Sequence, residues 1–323
     1  MTAPGVIIDT DPGVDDAVAI LVALASPEID LLGVSAVAGN VPLKAAIANA
    51  AGIVGLSGRS DVPVRAGAAA PLARDQVFGK YAAIGSFGED IVGRQTVSPD
   101  PENAVHFLVR QALAAAEEGG LLTVCAIGPM TNIALALIQD PAVQRGIGRI
   151  VAMGGAFSVP GHRTPWAEFN FFADPHAAEA VFRSGIPVTL MPLDVTCQAL
   201  FTVEHIDRFR AVGGRPGAAI ADLMTRFDRS DVARYGRPGG PIHDAMTIAW
   251  LVDPSMFSGR AAAVGVEVAG LTKGQAHADF LGRGDRAASV TLIDRVDEAR
   301  FLDFIVGRMA RYGDGDLRLP AGA

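Results

Sequence analysis

The sequence predicts an α/β fold: a doubly wound, mostly parallel central sheet with helices on both faces and a helical elaboration in the C-terminal half. Two observations carry this. Short β-branched runs alternate with Ala-rich segments of helical period. Several of those runs end in Gly- and Asn-containing turns, which places them at one edge of one sheet.

The elements follow in order. Val6 to Asp9 reads as a strand, and Asp15 to Ala25 as the helix after it. Leu31 to Val37 is the next strand, followed by a helix over Leu43 to Leu56. A helix over Pro101 to Glu117 precedes a strand at Leu121 to Ala126, then a helix at Thr131 to Gln139. Ile150 to Met153 and Val188 to Met191 read as strands flanking a helix at Pro175 to Arg183. Residues 203 to 235 look helical, and the loop Gly236 to Pro241 leads into a helix at about Asp244 to Leu251. Strands near Val264 to Val268 and Ala288 to Ile293 precede a closing helix from about Asp297. No repeat, low-complexity tract or linker interrupts the chain, so residues 1–323 are expected to form one domain.

Half of the residues are apolar and 19% are charged, as suits a compact soluble enzyme. The net charge of -8, with lysines only at 44, 80 and 273, argues against nucleic-acid or anionic-membrane binding. The longest apolar run, Ala17 to Ala25, is too short to span a bilayer. Cys125 and Cys197 lie in apolar stretches and read as thiols rather than a disulfide framework. The opening MTAPG lacks a basic, apolar leader, so the expected location is the cytoplasm.

The stretch Asp9-Thr-Asp-Pro-Gly-Val-Asp-Asp-Ala17 places four aspartates behind an apolar strand. Crowded carboxylates raise one another's pKa unless something positive neutralises them. Asp15 and Asp16 suit the first turn of a helix, but capping does not require Asp9 and Asp11 as well. Pro12 and Gly13 suit a tight turn that folds Asp11 back towards Asp16. A divalent cation is the economical explanation. One such as Ca²⁺ takes about six to eight oxygens, so further ligands must come from other strand ends or the late loop. Asp244 opens a helix after a Gly/Pro-rich loop, and reads as an N-cap or as one of those ligands. Ala38-Gly39-Asn40, Ala126 to Asn132 and Met153-Gly154-Gly155 stand at strand ends. In Pro165 to Phe171, Glu168 and Asn170 alternate with Phe, which suggests an extended, half-buried segment with both polar groups on one side. Trp250 reads as helix core, whereas Trp166 fits either a packing or a stacking role.

Taken in order, the aspartate stretch, Asn40, Gly128-Pro-Met-Thr-Asn132, Met153-Gly-Gly155, Ala167-Glu-Phe-Asn170 and His243-Asp244 resemble the inosine-uridine nucleoside hydrolase family over nearly the whole chain. The resemblance implies hydrolysis of the N-glycosidic bond of ribonucleosides with one Ca²⁺ per chain. It implies Asp11, Asp16, Asp244 and the Ile127 carbonyl as metal ligands. Asp15, Asn40, Glu168 and Asn170 would hold ribose hydroxyls, and Met153 would pack against the sugar. His243 would lie on the nucleobase side as the candidate leaving-group acid, with His162 and Tyr235 as further base-side groups. Asp11, facing both metal and water, would be the general base. A homodimer or homotetramer is also implied.

Three positions depart from the family pattern, all on or near the base side. Lys80 to Gly88 contains no His, His162 stands where Asn is common, and Cys197 follows Leu193 to Thr196 where His is frequent. A broad or pyrimidine-tolerant specificity is therefore expected. Two other readings compete. A catalytically degenerate relative would bind nucleoside or ribose without cleaving it. A haloacid-dehalogenase-like Mg²⁺ phosphatase also begins with strand-Asp-x-Asp, but needs a lysine ahead of a late acidic pair, and Lys273 is the only late lysine.

Overall fold

The computed structural model describes residues 5–80, 82, 85–94 and 96–313. Part of the histidine-free stretch, at positions 81, 83 and 84, lies outside the described residues. The chain runs β1 (Gly5–Thr10), α1 (Val14–Leu24), β2 (Asp30–Ala36), α2 (Leu43–Ser57), β3 (Val64–Ala66), α3 (Glu89–Val92), α4 (Ala104–Glu117), β4 (Leu122–Ala126) and α5 (Thr131–Gln139). It continues through β5 (Ile147–Met153), α6 (Phe169–Ala173), α7 (Pro175–Arg183), β6 (Val188–Met191), α8 (Leu193–Thr196), α9 (Val203–Val212), α10 (Gly214–Arg226) and α11 (Val232–Tyr235). Last come α12 (Ala245–Val252), β7 (Phe257–Val266), β8 (Ala276–Asp279), β9 (Val290–Val296) and α13 (Glu298–Ala310).

The strands form one sheet of order β3-β2-β1-β4-β5-β6-β9-β7-β8. Pairing is parallel from β3 through β9, and antiparallel for β7 with β9 and with β8. β1 is buried almost throughout, which is why Val6-Ile7-Ile8 reads as an unbroken apolar run rather than an alternating one. Val6 and Ile8 enter the core built with α1, α2, α10, α12 and α13, whereas Ile7 enters the core built with α4, α5 and α7. All of α1 is buried, so it is apolar without a polar stripe.

Strand order reverses at β1: β2 and β3 extend to one side, and β4 begins the other. A crevice opens at such a switch point, beyond the carboxyl ends of the strands. The registers put Asp9 opposite Ala126, Ala126 opposite Ala152, and Met153 opposite Met191, so these ends lie side by side. Asp11 and Ile127, just past β1 and β4, are thereby brought to the crevice.

Two short elements, β3 and β8, were not legible as strands, because three or four residues give too little periodicity. The 203 to 235 stretch breaks into three helices, with Gly214 at φ +56° starting α10. The expectation of an extended Pro165 to Phe171 segment is corrected: Glu168 is the N-cap of α6, accepting from the Asn170 and Phe171 amides. The Glu/Phe/Asn/Phe alternation imitated a strand, but a carboxylate at a helix start satisfies free amides and wins. No described helix is long and apolar enough to cross a membrane.

Candidate active site

The carboxylates converge at the switch point. Asp9, Asp11, Asp15, Asp16 and Asp244 are all buried. Asp16, in the first turn of α1, accepts from the Thr10 hydroxyl (2.6 Å) and the Gly13 amide (2.9 Å). It therefore does cap its helix, and serves the cluster at the same time. Asp15, Asp16 and Asp244 each offer an oxygen within 4.8 Å of the other two. Asp244 occupies an N-cap position, yet its carboxylate makes no capping bond, which leaves it for the cluster.

Asp11 approaches from the turn. Its Oδ2 accepts from the Asn40 amide at 2.5 Å, and its Oδ1 is buried without a hydrogen-bond partner among the described residues. Gly39 permits this packing, since an added Cβ would lie 2.1 Å from Asp11 Oδ2. Asp9 is held from behind by the Asn132 amide (2.7 Å), which also reaches the Ala36 carbonyl (3.3 Å).

The Ile127 carbonyl accepts from Asn170 Nδ2 at 3.0 Å; the same amide donates to the Met153 carbonyl at 3.2 Å. Glu168 accepts from the amides of Gly155 (3.1 Å), Asn170 (2.8 Å) and Phe171 (3.2 Å). On the other side, His243 Nδ1 shares a hydrogen bond with Thr196 Oγ1 at 2.7 Å. His162 Nε2 accepts from the Phe169 amide at 3.2 Å, so it carries no proton there and its 3.6 Å approach to Glu168 is not an ion pair.

A cavity of about 430 Å³ opens over this floor. Asp15, Asn40, His162, Tyr235 and His243 line it, while Asp11, Asp16, Ile127, Met153, Glu168, Asn170 and Asp244 do not. Trp250 packs on the core with Arg149 over its ring, and neither tryptophan lines the cavity. Cys125 donates to the Thr247 hydroxyl, and both cysteines are free thiols.

One residue was missed. Arg229, between α10 and α11, pairs with Asp15 at 2.6 Å. It lies inside the 203 to 235 stretch that reads only as helical, so no signal set it apart.

Electrostatics follow from burial. Burial first, then Asp16, holds Asp11 well above the carboxylate range. Burial and Asp15 push Asp16 up to about 6, and burial with Asp15, Asp16 and Asp11 keeps Asp244 well above its usual value. Burial raises Asp9 and Glu168 to about 7 each. The histidines move the other way: burial, then Arg229, lowers His162 to about 4 and keeps His243 well below its ordinary value. A resident proton on His243, which the leaving-group acid assignment needs, is thus disfavoured.

The donor set fits a hard divalent cation. It is all oxygen, includes a buried carboxylate oxygen with no partner among the described residues, and crowds carboxylates whose charge a cation would neutralise.

The inosine-uridine preferring nucleoside hydrolase model matches residues 6–303, and the chain belongs to that family. It is a ribonucleoside hydrolase, an enzyme acting on N-glycosyl compounds. The pyrimidine-specific ribonucleoside hydrolase RihA of Shigella boydii is 38% identical over 311 residues, covering 95% of this chain and 98% of the relative. An uncharacterized protein of Schizosaccharomyces pombe is 41% identical over 308 residues, covering 95% and 99%. Among solved structures, the purine-preferring ribonucleoside hydrolase of Gardnerella vaginalis superposes with TM-score 0.82 at 31% identity, covering 96% of this chain and 99% of that one. The plant nucleoside hydrolase PpNRh1 gives TM-score 0.82 at 27% identity with the same coverage.

Proposed function

We propose that this chain cleaves ribonucleosides with water, using one Ca²⁺ and Asp11 as general base. The observation that carries this reading is the buried Asp11 carboxylate beside the Asp15, Asp16 and Asp244 cluster, with one of its oxygens unpartnered.

Asp11, Asp16, Asp244 and the Ile127 carbonyl would hold the cation, and Asp15, clustered with two of them, is close enough to share in the site. A cation held there would supply Lewis acidity towards water and towards the vicinal hydroxyls of ribose. Asp11 receives the proton that the attacking water gives up. Asp15 and Asn40, which line the cavity, orient the ribose hydroxyls. Asn170 and Glu168 would join them and Met153 would pack against the sugar, each from outside the cavity lining. The bond to the base breaks through an oxocarbenium-like sugar. His243, held by Thr196 through Nδ1, contacts the base as a hydrogen-bonding group, with His162 and Tyr235 beside it.

Base preference follows the cavity, which no tryptophan lines, and the similarity to a pyrimidine-specific relative: a broad or pyrimidine-tolerant enzyme. On this reading a single catalytic domain works as a homodimer or homotetramer in the cytoplasm. The test is uridine hydrolysis in ¹⁸O-water: label is expected at C1′ of the released ribose and none in the base. Tight binding without ribose release would favour the degenerate-relative reading instead.

A further inference from the structure

Arg229 is placed too deliberately for a solvated loop residue. Its Nη1 lies 2.6 Å from Asp15 Oδ1, and its side chain is 24% exposed. The backbone is pinned by Gly240: a Cβ there would fall 2.7 Å from both the Arg229 Cβ and its carbonyl oxygen. Gly240 in turn exchanges backbone hydrogen bonds with Phe201, at 2.9 and 3.0 Å. Arg229 lines the same cavity as His162 and His243, whose ring centroids are 5.8 Å apart. Arg234, in α11, also lines the cavity but is turned to the carbonyls of Pro160 (3.2 Å) and Gly161 (3.4 Å). His162 Nε2 is taken by an amide, and His243 Nδ1 by a hydroxyl.

On the reading that the site cleaves ribonucleosides, we propose that Arg229 is a catalytic residue of base departure: its guanidinium, aligned by Asp15, supplies the positive charge against which the nucleobase leaves. In that step the C1′–N bond breaks and its electron pair goes to the base, spreading over ring nitrogens and carbonyl oxygens. The water oxygen bonds to C1′, and its proton goes to Asp11. The base anion is then protonated from solvent as Asp11 returns its proton there, so charge and atoms balance. Arginine suits the task because it stays charged at every working pH and offers a fork of donors without an acceptor.

The test compares uridine, inosine and p-nitrophenyl riboside across wild type, Arg229→Gln, Arg229→Lys and Gly240→Ala, with circular dichroism and bound calcium as checks on the fold. For Arg229→Gln, kcat is expected to fall about 10²-fold or more on uridine and inosine but less than about threefold on p-nitrophenyl riboside, whose leaving group is a stable anion. Arg229→Lys should restore part of the loss, since it keeps the charge. Gly240→Ala, which displaces the Arg229 backbone and leaves its charge, should show the same dependence on leaving group. Equal losses on all three substrates would reduce Arg229 to aligning Asp15. A lower KM with unchanged kcat would make it a mere competitor for Asp15. Either result overturns the proposal. A wild type that cleaves no riboside at all would instead remove the hydrolase reading on which it rests.

Discussion

Asn170 Nδ2 lies 3.0 Å from the Ile127 carbonyl and 3.2 Å from that of Met153, clamping the ends of β4 and β5 together beneath the carboxylates. A carbonyl oxygen has two lone pairs, so Ile127 can accept this bond and still face a cation. Groups that orient a ligand are costly to lose: Asn170→Ala is expected to weaken Ca²⁺ binding about 10- to 100-fold. Competition against a calcium chelator measures this. Unchanged affinity would remove Ile127 from the ligand set.

Asp11 is expected to matter twice, as ligand and as base. Asp11→Ala should lower kcat by a factor on the order of 10³ or more while the fold survives. Gly39→Ala offers a second view, because the new Cβ would collide with Asp11 Oδ2 at 2.1 Å. It should reproduce much of the loss with every carboxylate still present. Steady-state kinetics showing Asp11→Ala within about tenfold of wild type would place the base elsewhere.

Ribose recognition rests on its hydroxyls. A site that hydrogen-bonds a hydroxyl rejects the analogue without it, because its polar groups are then left unpaired. Deoxyuridine should therefore be cleaved far more slowly than uridine. Comparable kcat/KM for the two would refute the assigned roles of Asp15 and Asn170.

Stability should respond to pH and calcium together. Burial raises Glu168 from 4.5 to about 7 and Asp16 from 3.8 to about 6. With folded values above unfolded ones, the folded chain keeps protons that the unfolded chain has lost. Stability without metal therefore falls as pH rises from about 4 to about 7. A cation binding only the folded, ionised carboxylates stabilises more at the upper end of that window. Scanning fluorimetry should show a small calcium-induced rise in Tm near pH 5 and a larger one above pH 7. The same shift at both would contradict the electrostatic account.

Much of this was legible in the sequence for physical reasons. A buried parallel strand must be apolar on both faces, so Val6-Ile7-Ile8 announced β1, and a strand end crowded with aspartates announced a charge to be neutralised. Asp244 was ambiguous because an N-cap and a ligand share residue type and position; only its missing capping bond separates them. The Glu168 to Phe171 segment misled because two residues of alternation do not distinguish a strand from a capped helix turn. Arg229 was invisible because its partner, Asp15, is 214 positions away in sequence and the contact exists only once α10 and its following loop fold back against α1.

The most direct measurement is ribose release from uridine, cytidine, inosine, adenosine and guanosine by the purified protein, before chelation, after exhaustive chelation, and after Ca²⁺ is restored. Expected are ribose and free base in equal amounts from at least one pyrimidine nucleoside, loss of that activity on chelation, and its recovery with Ca²⁺. Full activity in the chelated protein, or no ribose from any of the five, would contradict the account.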